Sequence, residues 1–152
     1  MLMYGLWIVW TVGGNIAAAV CCLWAFWRGG TFERWGASIL AVGWILTMIA
    51  KQPGMGPNAI IVGIDCAALL AFVVLALWSR RIWVFFAAAC QLNAVFSHFA
   101  HHFTDFGIYS YATANGFWGG WALIFCLAAG VASYRRRYNR QLKAATAQAP
   151  TS

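Results

Sequence analysis

Long stretches without a charged residue are the feature that most constrains how this chain can fold. Residues 1–27, 35–50, 66–79, 82–97 and 106–134 contain no Asp, Glu, Lys or Arg. A helix that rises about 1.5 Å per residue needs roughly 20 mostly apolar residues to cross a hydrocarbon core about 30 Å thick. Hydrophobic residues make up 63% of the chain and charged residues only 9%, too few to cover the surface of a water-soluble domain. The pattern therefore predicts an all-α, polytopic bundle of transmembrane helices.

Charged and turn-forming residues divide the chain into five predicted spans. They cover about 3–27, 33–50, 58–79, 82–102 and 116–134. The second span is the weakest, because the uncharged stretch between Arg34 and Lys51 is slightly short for a full crossing. If that segment is re-entrant or interfacial, the bundle has four spans. Residues 1–134 form the predicted bundle, and residues 135–152 form a basic tail that we expect to be disordered toward its end.

The basic residues predict the orientation of the bundle. Lys and Arg in short loops are retained on the cytoplasmic side of a membrane. With five spans, Lys51 is the single basic residue on one side, and the other nine of the ten lie opposite. We therefore expect the N-terminus outside and the C-terminus inside. The tail should anchor the protein to anionic lipids, whereas nucleic-acid binding is not expected without a folded soluble domain. The tail's basic residues are Arg135, Arg136, Arg137, Arg140 and Lys143.

Polar residues inside spans are costly, so they are the candidate functional residues. Asp65 lies about 10 Å from the outer end of the third span. The fourth span has Gln91, His98 and His102 on one helical face, while Asn93 points away from that face. A hairpin of about two residues joins these spans and makes them antiparallel neighbours, so a contact between Asp65 and His98 is expected. Asp65, Gln91, His98 and His102 form the predicted polar cluster.

Three roles remain open for this cluster. The first is structural, with Asp65 neutralised by a hydrogen bond or by a protonated His. The second is a proton or ion relay that opens to the outer face. The third is a metal site formed by His98, His102 and Asp65, because two histidines at i and i+4 can face one ion. The chain has only three histidines, all within 98–102, which leaves too few ligands for a di-iron or bis-histidine haem centre.

Cysteine and tryptophan are explained by the membrane setting. The five cysteines lie within spans, and no two of them form a CxxC motif. The sequence therefore predicts neither a disulfide framework nor a catalytic role for them. Tryptophans near span ends are typical of the interfacial belt, and deeper ones are expected to pack between helices. The belt set is Trp7, Trp27, Trp35, Trp78, Trp83 and Trp118, and the deeper set is Trp10, Trp24, Trp44 and Trp121.

The third and fourth spans also carry a resemblance. After Asp65 the chain continues as Leu75-Ala-Leu-Trp-Ser79-Arg80-Arg81-Ile-Trp83, then Ala89-Cys-Gln91-Leu, and then His98. This segment resembles small uncharacterised inner-membrane proteins of alphaproteobacteria. The resemblance implies a location in a bacterial inner membrane and no particular chemistry.

The leading functional hypothesis is a non-enzymatic accessory or interaction subunit, because the sequence contains no nucleophile–base arrangement, cofactor motif or soluble domain. Its expected partners are membrane lipids and either another membrane protein or a second copy of the chain. An alternative is a small transporter or proton-conducting protein that uses the polar cluster. A second alternative is a holin-like pore, although five spans and a fixed outer loop, predicted for the stretch Thr104 to Phe117, speak against it.

Overall fold

The structure is a computed structural model that describes residues 2–50, 58–103 and 113–147, with side chains described for residues 10–50, 58–99 and 113–147. Within that part of the chain 96% of the residues are helical and none lies in a strand. The predicted all-α class is therefore confirmed. The helices are α1 (Leu2–Arg28), α2 (Thr31–Ala50), α3 (Ala59–Ser79), α4 (Ile82–Phe103) and α5 (Leu123–Ala147), with a π-helical segment (Phe117–Ala122) leading into α5.

The helix boundaries follow local turn chemistry. Gly29 and Gly30 separate α1 from α2, and a Cβ atom at Gly29 would collide with the Ala25 carbonyl oxygen. The Asn58 side chain caps α3 by accepting a hydrogen bond from the Ile60 N–H at 3.1 Å. Arg80 ends α3 in the left-handed conformation with φ 51°, which permits the tight hairpin into α4. The hairpin makes α3 and α4 antiparallel neighbours, as predicted.

Consecutive helices pack side by side, and α5 closes the ring by packing against both α4 and α1. A further contact runs between α2 and α5. In this arrangement α1, α3 and α5 all run toward the end of the bundle that carries Arg80 and Arg81, which we call the hairpin end. We call the opposite end the far end.

The bundle buries small and aliphatic side chains and leaves large apolar ones outside. Ala25, Ala37, Val84 and Val131 have no exposed surface, so the helices approach closely at the centre. Large apolar residues cover the outer faces, as on α3, where Leu70, Val74 and Leu77 are all more than 60% exposed. A surface of this kind is stable in lipid and not in water. The fold is therefore that of a multi-pass membrane protein.

Four helices in the described part of the chain are long and apolar enough to cross a membrane. They are Trp10–Arg28, Ala59–Ser79, Ile82–Phe99 and Thr113–Ala147. Helix α2, the weakest of the predicted spans, is not among them and carries Glu33 and Arg34 in its first turn. It nevertheless packs against α1, α3 and α5, and its second half exposes apolar side chains such as Ile45 and Ile49.

The described part of the basic C-terminal tail is helical, and the end that was expected to be disordered lies outside the described residues. Helix α5 continues without a break through Ala147, so residues 135–147 are helical; residues 148–152 lie outside the described part. Alanine, glutamine and lysine favour helix, and Thr146 Oγ1 donates a hydrogen bond to the Leu142 carbonyl at 2.7 Å. All the predicted lipid-anchoring residues lie on this helix, and apart from the half-buried Arg135 they are exposed.

Candidate functional site

The predicted contact between Asp65 and His98 is confirmed. His98 Nε2 lies 2.7 Å from Asp65 Oδ2 across the α3–α4 interface. The His98 side chain is 1% exposed and that of Asp65 is 16% exposed. A carboxylate oxygen and an imidazole nitrogen at this distance form a hydrogen bond.

Gln91 completes this far-end cluster, which we define as Asp65, Gln91 and His98. Gln91 Nε2 donates to Asp65 Oδ1 at 3.1 Å and lies 3.2 Å from the Asp65 backbone carbonyl oxygen. Both carboxylate oxygens are therefore hydrogen-bonded to side chains of α4. Gln91 and His98 are buried, as expected for residues on the inward face of α4.

The metal hypothesis involved His102, which lies in the last turn of α4. The side chain of His102 lies outside the described part of the molecule. The metal site that includes His102 therefore stays a prediction. Among the described side chains, no group of three or more His, Cys, Asp or Glu residues lies close enough to hold a metal ion.

A second buried polar cluster lies near the hairpin end, and the sequence analysis missed it. Glu33 on α2 is completely buried, and its Oε1 atom accepts a hydrogen bond from Arg81 Nη1 at 2.7 Å. The indole N–H of Trp83 donates to the same oxygen at 3.3 Å. We call Glu33, Arg81 and Trp83 the hairpin-end cluster. It ties the start of α2 to the start of α4.

Aromatic rings and glycines surround this second cluster. The Arg81 guanidinium lies over the rings of Phe32 and Tyr134 at 5.3 and 5.9 Å from their centroids. Within the described residues, Glu33 Oε2 has no hydrogen-bond partner, and it would lie 2.9 Å from a Cβ atom at Gly30. A side chain at Gly30 would therefore displace the carboxylate.

The Trp83 ring is held between two glycines. A Cβ atom at Gly36 of α2 would lie 2.6 Å from the ring, and one at Gly130 of α5 would lie 2.7 Å from it. Trp83 is only 9% exposed. Its assignment to the interfacial belt is therefore wrong, because the two glycines let the indole enter the bundle and reach Glu33. The sequence signal that could have indicated this cluster is Glu33, a carboxylate within a predicted span and close to Gly29-Gly30.

The two clusters are separated by an apolar layer. Gln91 and Trp83 are eight residues apart on α4, which corresponds to about 12 Å along the helix axis. The α4 side chains buried between them are apolar, and so are the buried side chains of α3 in the same region. They are Val84 and Ala87 on α4 and Phe72, Leu75 and Ala76 on α3.

The cysteines contribute to helix packing. All five are free, and those on α1 donate weak hydrogen bonds to neighbouring helices: Cys21 Sγ to the Ile124 carbonyl at 3.6 Å and Cys22 Sγ to the Ala37 carbonyl at 3.7 Å. Cys90 on α4 and Cys126 on α5 lie near each other across the interface between these helices. No described His, Asp or Glu joins a cysteine in a cluster large enough to bind a metal ion.

The deeper tryptophans pack between helices. Trp10 and Trp121 have ring centroids 5.5 Å apart, and Trp121 lies against Gly13 and Gly14 of α1. Trp24 and Trp44 pack against the buried core. The π-helical segment widens the helix at this point, and its Gly119 lies close to Ala94 on the inward face of α4.

Comparisons with protein-family models, with curated proteins and with solved structures gave no match.

Proposed function

We propose that this chain is a non-enzymatic accessory or interaction subunit of a bacterial inner membrane, with a periplasmic N-terminus and a cytoplasmic C-terminus. The observation that carries the proposal is the apolar layer between the two buried clusters. An ion or proton that crosses a membrane needs a continuous series of polar groups. Here the described polar groups bond to each other at two depths, and about 12 Å of buried apolar side chains lies between them.

The location and orientation rest on charge and on the resemblance described above. Arg28, Arg34, Arg80, Arg81 and the basic end of α5 all belong to the hairpin end of the bundle. Retention of basic residues on the cytoplasmic side favours this end as the inner one. The partners that fit this architecture are membrane lipids and either another membrane protein or a second copy.

Reconstitution into lipid vesicles tests the proposal. Vesicles that contain the chain should keep an imposed proton or potassium gradient as long as empty vesicles do. In cells, a photo-cross-linking residue at an exposed position of a helix should capture a protein at one face of the bundle and not at the others. Rapid loss of the gradient, or no capture at any face, contradicts the proposal.

The exposure of Asp65 favours one second candidate, a proton-binding site that opens to the far end. Its carboxylate is partly exposed while its partner His98 is buried, so Asp65 is the member of the pair that a proton can reach. This candidate requires a second conformation in which the pair also becomes accessible from the hairpin end, and it predicts proton flux in vesicles that Asp65→Asn abolishes. The matched control is Asn15→Leu, which removes a half-buried polar group from α1 and leaves the pair unchanged.

A further inference from the structure

Asn93 is a polar side chain on the outer face of α4. It lies near the middle of the helix Ile82–Phe103, about 16 Å from the first residue of the helix. It faces away from Gln91 and His98 and is exposed. The residues around it on this face are the exposed Ile82, Phe86, Ala89 and Phe96.

The Asn93 amide is only partly satisfied within its own chain. Its Nδ2 donates to the Ala89 carbonyl of the preceding turn at 3.1 Å. Within the described residues, its Oδ1 accepts no hydrogen bond and one N–H has no acceptor. Neither water nor a lipid tail can supply these partners in the hydrocarbon core, so the groups favour association with another protein surface.

A second copy of the chain meets this requirement by symmetry. Two copies inserted in the same orientation are related by a two-fold axis along the membrane normal, and this axis brings each residue to the depth of its counterpart. A carboxamide has both a donor and an acceptor, so Asn93 can form two reciprocal hydrogen bonds with Asn93 of the second copy. Ala89, one turn away, is small enough to permit close approach of the helices.

Asn15 on α1 does not offer the same surface. It also lies near the middle of its helix, but it is half-buried, whereas Asn93 is exposed. This difference distinguishes the two amides and provides a matched control.

We propose that two copies of the chain associate in parallel through the outer face of α4, with the paired Asn93 side chains at the centre of the contact. The inference rests on the proposed function, because it names the partner of the interaction subunit. Each Asn93 carboxamide supplies the donor and the acceptor that the other one lacks, so the association needs no other component.

Energy transfer between donor- and acceptor-labelled copies in lipid vesicles tests the pairing across a range of protein-to-lipid ratios. We expect dimers for the natural chain and about a tenfold weaker association for Asn93→Leu. Asn93→Gln keeps the carboxamide and should retain most of the association, and Asn15→Leu should leave it unchanged. A chain that stays monomeric at all ratios, or a dimer that Asn93→Leu does not weaken, overturns the inference.

Photo-cross-linking in cells distinguishes this inference from the proposed function. A cross-linking residue at Ala89 should give a product of twice the chain mass, while one at Leu70 on the outer face of α3 should not. If Ala89 captures a different protein, the second copy is the wrong partner and the interaction function stands. If no position on any face captures a protein, both proposals fail.

Discussion

Glu33 and Asp65 are both carboxylates among apolar helices, but their surroundings differ. Glu33 is completely buried and pairs with Arg81, whose guanidinium remains charged in any protein setting. Asp65 is partly exposed and pairs with His98, whose charge depends on a proton. The hairpin-end pair therefore includes a permanently charged partner, whereas the far-end pair does not.

The two clusters also differ in how many helices they join. The far-end cluster joins α3 and α4, which the hairpin already makes neighbours. The hairpin-end cluster joins α2 to α4, and through Trp83 and Gly130 it reaches α5. Loss of the hairpin-end contacts should therefore disturb the packing of three helices, and loss of the far-end contacts only that of two.

The largest expected effect is that of Glu33→Ala. It leaves the Arg81 charge and the Trp83 indole N–H without their acceptor, and breaking a buried ion pair typically costs about 3 kcal/mol or more. Arg81 is 22% exposed and can be partly rehydrated, so we expect a loss near the lower limit. The free energy of unfolding in mixed detergent micelles, followed by tryptophan fluorescence, measures it. Glu33→Gln should lose less because it keeps an acceptor, and the exposed Arg34→Gln should have no effect.

A smaller effect is expected when the space for Trp83 is filled. Gly130→Ala places a carbon atom 2.7 Å from the indole ring, so the ring must move away from Glu33. Overpacking of this kind costs about 2 kcal/mol. The control is Gly43→Ala on α2, where no atom lies within 4 Å of the added carbon. Equal unfolding free energies for the two variants would show that the ring position is not restricted by Gly130.

The far-end cluster should respond less strongly. Polar contacts between membrane helices average about 0.6 kcal/mol and reach about 1.7 kcal/mol. We therefore expect a coupling free energy of about 1 kcal/mol between Asp65→Ala and His98→Ala in a double-mutant cycle, measured by the same unfolding experiment. A coupling as large as the loss caused by Glu33→Ala would remove the contrast between the two clusters.

Much of the fold could be predicted from the sequence because charges and turn residues mark the ends of helices in a membrane. The predicted spans 58–79 and 82–102 match α3 and α4 to within one residue at each end. The contact between Asp65 and His98 was also predictable, because a two-residue hairpin fixes which helices are neighbours and a helical repeat of 3.6 residues fixes which face each residue occupies.

The hairpin-end cluster could not be derived in the same way. Glu33 and Arg81 are separated by 48 positions in the sequence, and no short turn brings their helices together. Their contact depends on the position of Trp83 between Gly36 and Gly130. These glycines lie on two different helices, so they form no periodic pattern along the sequence. A tryptophan near a span end is typical of the lipid interface. The burial of Trp83 could therefore be predicted only from the closed ring of helices, which the sequence does not specify.

The smallest effect is expected for Gln91→Met, which tests whether the far-end cluster depends on its amide. Methionine has nearly the same length and volume as glutamine and fits an apolar setting. The substitution removes the hydrogen bond to Asp65 Oδ1, while the His98 contact with Oδ2 remains. Removing one hydrogen-bonding partner is costly when the other is left buried and unsatisfied, but Asp65 is partly exposed and keeps its contact with His98, which lowers that cost. We therefore expect a change below about 0.5 kcal/mol in the free energy of unfolding. A loss above that of His98→Ala would mean that Gln91, and not the histidine, holds Asp65 in place.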